Sequence, residues 1–259
     1  MQSRLGRTMR PMAARLYALP GSHPSVTAEL MLQRKGIDYR RLDLVPAVHR
    51  PLLRALRFPG ITVPALVIDG RRVQGSRTIS RALDEIRAEP PLFPADPQAR
   101  SSVEEAERWG DEDLQAVPRR IAWWALRRDR SGLRGFVEGA HLPLPTGLAL
   151  LTAPPIILAA ARYNAATDEA VTADLAALPG LLDHVDSLIA DGVLGADEPN
   201  AADYQIAPSV RLLMCFDDLR PAIEGRPAGE HALRVCPEFP GRIGPVLPEN
   251  LLEPLRAAA

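Results

Sequence analysis

Four prolines, Pro90, Pro91, Pro94 and Pro97, crowd eight residues of a 259-residue chain and separate a strand-bearing stretch from one that reads as helix throughout. Proline has no backbone N–H and a fixed φ, so such a cluster stiffens and extends the chain where one domain ends. Before it, residues 14–19 form a short strand-like run that stops at Pro20-Gly21. A helix follows from Ser25, with Val26, Leu30, Leu32 and Ile37 apolar and Gly36 placed as a left-handed C-cap. Residues 38–44 read as a second strand and 48–57 as a short helix. The near-continuous apolar run 64–68, Asp69-Gly70 and residues 71–74 then spell a β-hairpin. Ser76 is placed to cap a further helix carrying Ile79, Leu83 and Ile86 on one face. The order is βαβαββα.

Beyond residue 97 no hairpin recurs. An acidic amphipathic segment over 98–128 holds Trp109, Trp123 and Trp124, and Asn200-Ala-Ala-Asp203 has the form of a reciprocal N-cap ahead of another buried helix. Residues 142–161 run about twenty positions without a charge, the length of a membrane span. Pro143, Pro145, Pro154 and Pro155 interrupt that stretch, so a loop leading into a buried helix is expected and no span. The expected organisation is a disordered extension over 1–11, bearing Arg4, Arg7 and Arg10, a first domain over 12–89, a linker over 90–97 and an all-helical domain over 98–259.

With 31 basic and 32 acidic residues the formal net charge is -1, which supplies no field for a polyanion, so nucleic acid is not an expected partner. The only cysteines, Cys215 and Cys236, stand in neither CxxC nor metal-binding spacing, which implies a reducing compartment, no structural disulfide and no metal.

The βαβαββα order, the proline-rich linker and the capped late helix together resemble the glutathione transferase family over nearly the whole chain. The resemblance implies a thioredoxin-like α/β first domain followed by an all-α second one. In that family the loop after the first strand carries a catalytic Ser, Cys or Tyr, and the next helix closes on Lys-Gly. Counting back from Lys35-Gly36 puts Ser22 at the Ser/Cys position, while Tyr17 falls too early and is expected to fill the strand. Val63-Pro64 matches the cis-proline step that pairs with the cysteinyl part of glutathione, and Gln74-Gly75-Ser76 matches the motif for the γ-glutamyl end. The segment ending in His49 is similar to a theta-class stretch whose histidine approaches the glycyl end. His23, Trp123 and Arg119 are placed beside the thiol as an acceptor pocket.

The resemblance implies an enzyme that binds glutathione or another small thiol as co-substrate, needs no further cofactor and transfers the thiol to a small apolar electrophile. A cytoplasmic homodimer with a detoxifying role is implied as well. Each assignment has a plainer competitor: Ser22 as a turn or cap residue, with Ser25 the stronger cap; His49 simply solvated; Ser76 only a helix cap; one of Trp123 and Trp124 ordinary packing; Arg119 and Arg120 at the surface. One departure stands out. Where the family has Glu or Asp before the serine of the γ-glutamyl motif, this chain has Gly75. A non-catalytic binding or scaffold protein on the same fold is therefore the alternative, because a fold alone does not confer function.

Overall fold

The computed structural model describes residues 14–257; the extension expected over 1–11 lies outside the described residues. Strands β1 (Ala14–Ala18), β2 (Tyr39–Asp43), β3 (Ala65–Ile68) and β4 (Arg71–Gln74) form one sheet in the order β2-β1-β3-β4. β1 runs parallel to β2 and antiparallel to β3, and β3 pairs antiparallel with β4. Helices α1 (His23–Arg34), α2 (His49–Ala55) and α3 (Ser76–Ile86) complete the thioredoxin-like βαβαββα unit.

Alternation along β1 divides the core. Ala14 and Leu16 join the large cluster with Met31, Leu32, Ile79 and Leu83 of α1 and α3. Tyr17 turns to the other face, where Leu44, Leu53, Phe58 and Ala65 form a second cluster under α2. Its ring meets Phe58 edge-on at 5.7 Å, so Tyr17 is a packing residue. At the hairpin both Asp69 and Gly70 have positive φ, as a two-residue turn matched to strand twist requires. Gly36 closes α1 at φ 57.

The proline-rich stretch is fastened down rather than merely extended. The buried Lys35 ammonium donates to the carbonyls of Arg87 (2.7 Å), Ala88 (3.3 Å) and Pro90 (2.6 Å) and pairs with Asp84. Leu92 and Phe93 are buried, and the Leu92 carbonyl accepts from Ala201 N–H at 2.8 Å. The segment thus stitches the two halves together.

The second half is helical among the described residues: α4 (Pro97–Trp109), α5 (Ala116–Arg128), α6 (Leu133–Val137), α7 (Thr146–Tyr163), α8 (Asp168–Ala190), α9 (Ala201–Leu213), α10 (Arg220–Ile223), α11 (Pro227–Val235) and α12 (Glu249–Ala257). The helix read over 98–128 is two helices, because a π-helical turn, Gly110–Leu114, separates α4 from α5. Every residue of α9 is buried, and it packs against α1, α4 and α11. Its start carries both halves of the reciprocal cap. Asn200 Oδ1 accepts from Ala202 and Asp203 N–H, and the Asp203 carboxylate accepts from Asn200 N–H at 2.8 Å.

Residues 142–161 correct their expectation. α7 runs unbroken through Pro154 and Pro155, and it is a surface helix instead of a buried one. It is long and apolar enough to cross a membrane by length and composition, with mean hydropathy 1.2, and only 17% of it is buried. The two prolines remove N–H donors that would serve the carbonyls of Leu150 and Leu151. Leu151 is 76% exposed, so on this face water can take up the orphaned groups.

Candidate active site

The turn after β1 gives the site its entrance. Gly21 adopts φ 68, and a Cβ there would sit 2.5 Å from Cδ1 of Phe136 on α6. Only glycine satisfies both demands, so the turn is clamped beneath the helical domain. Ser22 follows as the N-cap position of α1, with no side-chain cap bond and no acidic residue in the first turn of the helix. The cap role proposed for Ser25 is corrected, since Ser25 lies inside α1. Its buried hydroxyl instead donates to Ser22 Oγ at 3.0 Å. With its oxygen serving as acceptor, the Ser22 proton is free to be donated outward.

Ser22 lines a cleft of about 250 Å³ between the two halves. His49 and Val63 line the same cleft from the first domain. Across it stand Arg119, Trp123 and Leu126 of α5, Phe136 of α6, and Ala153, Ile157 and Tyr163 of α7. The Val63-Pro64 peptide is cis, and no main-chain hydrogen bond engages Val63 N–H or C=O among the described residues. Val63 therefore offers a free donor and acceptor on the first-domain wall that also carries Ser22.

Pro64, Gln74, Gly75 and Ser76 stand beside this wall rather than in it. Gly75 N–H donates to Pro64 O at 2.9 Å, which brings the two motifs together. Ser76 is the first residue of α3, with Gly75 in the cap position, so the helix-cap role for Ser76 is corrected. The residue is 3% exposed, and its Oγ is buried and without a partner. The Gln74 amide is engaged within the protein at both ends, which leaves one N–H and one lone pair for a ligand. Oε1 accepts from Gly60 N–H at 2.5 Å and Nε2 donates to Thr62 O at 2.6 Å. Gln74 holds the loop that leads into the cis-proline.

His49 is buried, not solvated, and burial beside Arg50 lowers its pKa to about 4. Its Nδ1 has no partner. His23 is a bridge between the domains more than an acceptor residue, since its Nε2 meets the carbonyl of Gln115, just past the π-helical turn, at 3.1 Å. Burial, with the charge of Arg119, brings its pKa down to about 3. Between 6.5 and 3 the unfolded chain binds a proton that the folded one refuses, so stability falls as pH drops through this window and is level above it. At pH 5 the expected loss from this residue is about 2 kcal/mol relative to pH 7.5. Urea unfolding at the two pH values checks it, because His23→Gln, which keeps a donor for Gln115, removes that part of the pH dependence. An undiminished slope in the variant would contradict the assignment.

Of the tryptophan pair, Trp123 faces the cleft while Trp124 is buried and donates to Asp168 at 2.9 Å. Sequence reasoning passed over Arg50, Phe136, Tyr163 and the α7 wall; the uncharged run 142–161 was the one signal for that wall. The two cysteines lie outside the cleft, and burial pushes Cys215 up to about 12 and Cys236 to about 11, so both stay protonated thiols. No group of residues suited to a metal ion occurs among the described residues.

Residues 16–91 match the family described as glutathione S-transferase, N-terminal domain. No curated protein matches the chain. Among solved structures, glutathione transferase F2 from Populus trichocarpa is similar with 14% identity and a TM-score of 0.59, over 95% of this chain and 98% of that one. A glutathione S-transferase from Rhodospirillum rubrum F11 gives 18% and 0.56, over 93% and 99%. FzlA from C. crescentus gives 17% and 0.53, over 86% and 92%. At these identities the likeness establishes the fold: a glutathione transferase fold along both halves.

Proposed function

We propose that the protein is a glutathione S-transferase-like enzyme that binds a low-molecular-weight thiol, glutathione in the first instance, and transfers it to a small electrophile. The observation that carries this reading is the Ser22 hydroxyl at the head of α1, which shares one wall of an open cleft with an unengaged Val63 peptide, opposite an apolar far wall.

A free thiol titrates near 8.5, and only its thiolate attacks. The thiol proton is released to solvent, the Ser22 hydroxyl donates a hydrogen bond to the sulfur anion, and the positive end of α1 adds to the stabilisation. Lowering the thiol by about two units takes roughly 2.7 kcal/mol, which one charge-assisted hydrogen bond and a helix dipole together supply. The sulfur then forms a bond to the electrophilic carbon while the leaving group departs with its electron pair. Ser22 stays uncharged and forms no covalent bond. Val63 N–H and C=O pair with the cysteinyl unit, Gly75 and the unpartnered Ser76 Oγ receive the γ-glutamyl end, and His49 lies toward the glycyl end.

Gly75 favours one second reading, a non-catalytic binding protein, because it removes the carboxylate that would hold the ligand's amino group. Retention on immobilised glutathione, together with a thiolate absorbance band for bound glutathione at pH 7, is the expected result. Retention without that band would favour the binding protein, and no retention would dismiss glutathione as the thiol.

A further inference from the structure

Two adjacent arginines of α5 have opposite fates. Arg120 is bidentate to Asp174, Nε at 2.5 Å and Nη2 at 2.9 Å. Arg119 is half-buried in the cleft wall, and among the described residues it has no carboxylate partner. Its one hydrogen bond is a long one, 3.3 Å to the Gln115 amide oxygen. A guanidinium withdrawn from water is costly, and here burial and the charge of Arg120 both act against it, while Asp111, linked to it through the Gln115 amide, offsets part of that cost.

The rest of the cleft offers no compensation. No Asp or Glu lines it. Its second cation, Arg50, lies over the Tyr163 ring at 3.5 Å, and its two histidines, His23 and His49, are held neutral. Arg119 is also well placed along the helix: Trp123 stands four residues later and Leu126 seven, on the same face, opposite Ala153 and Ile157 of α7. An apolar trough therefore ends in a fork-shaped cation with no direct carboxylate partner, near the Ser22–His23 turn.

We propose that Arg119 receives a carboxylate of the acceptor, so that the preferred electrophile is an apolar, ring-bearing carboxylic acid whose body packs on Trp123. This rests on the reading of the cleft as the place where thiol and acceptor meet.

The test uses para- and meta-(chloromethyl)benzoate and their methyl esters with glutathione. The thiolate sulfur bonds to the benzylic carbon, the C–Cl bond breaks and chloride leaves with the electron pair, so acid and ester share one reaction. The better acid is expected to exceed its ester in kcat/KM by about tenfold to a hundredfold, mostly through KM. Arg119→Gln abolishes that preference by costing the acid far more than the ester, while Arg119→Lys retains part of it. Equal rates for acid and ester, or equal losses of both in Arg119→Gln, would overturn the proposal, the latter by placing the cation on the thiolate. A thiol-free readout separates this outcome from failure of the enzymatic reading. Toluate, which cannot react, should quench tryptophan fluorescence in the wild type and not in Arg119→Gln, and methyl toluate should not distinguish the two. Turnover of neither chloride together with normal toluate binding would sink the transferase and keep the carboxylate site; toluate bound equally by both proteins would sink the site itself.

Discussion

Replacing Ser22 by alanine is expected to raise the titration of glutathione bound in the cleft by one to two units, and to lower kcat/KM by about tenfold to a hundredfold below that titration. The size follows from what is lost. One charge-assisted hydrogen bond to a sulfur anion contributes about 1.5–3 kcal/mol, and the helix dipole, which the substitution leaves in place, contributes the remainder. Well above pH 9 the thiol ionises unaided, so wild type and variant should converge. The measurement is a pH profile of kcat/KM beside the thiolate absorbance of the bound ligand. A loss equal at every pH would mean that Ser22 positions the ligand rather than ionises it. An unchanged profile would remove it from the mechanism. The start of α1 is untouched, because Ser22 makes no side-chain cap bond to it. The cost falls on Ser25, whose buried hydroxyl loses its acceptor.

That such a site can be read from the chain at all depends on which of its features are local. The turn at Asp69-Gly70, the end of α1 at Gly36 and the cap at Asn200 and Asp203 each follow from residues within a few positions of one another, and each occurs where the sequence puts it. The place of Ser22 is equally local, two residues past Pro20 and at the head of α1. What escapes is decided by distant partners. Gln74 reads simply as a ligand residue, and nothing near it shows that Gly60 and Thr62, twelve or more positions earlier, bond to both ends of its amide. Ser25 reads as a cap until the helix begins two residues sooner. Arg119 and Arg120 are the same residue type side by side, and only Asp174, fifty-four residues after Arg120, tells the paired one from the one left in the cleft. α7 is the opposite case. Local reasoning about Pro154 and Pro155 argues against a helix, and the helix forms because its exposed face lets water satisfy the carbonyls that proline leaves free.

Gly75→Asp is expected to tighten glutathione binding by about tenfold to a hundredfold while making the fold less stable, and the two effects have separate causes. At φ 86 and ψ 141 the residue lies in a region that side chains with a Cβ rarely enter, so a substitution costs about 1–3 kcal/mol of strain. Space is no obstacle, because a Cβ at this position meets nothing within 4 Å. The gain comes from restoring a carboxylate beside Ser76, where the γ-glutamyl amino group is proposed to lie, at about 1.5–3 kcal/mol for a charge-assisted bond. Glycine thus relaxes the backbone at the one place where the site would otherwise add a charge, and weaker glutathione binding is the expected consequence. Calorimetric titration with glutathione and with the dipeptide Cys-Gly, which lacks the γ-glutamyl unit, tests both halves when paired with thermal unfolding. The expected result is a lower Tm, tighter glutathione and unchanged Cys-Gly. Tightening of both ligands alike, or of neither, would mean that the amino end of the thiol does not lie at Gly75-Ser76, and the orientation proposed for the whole tripeptide would have to be reversed.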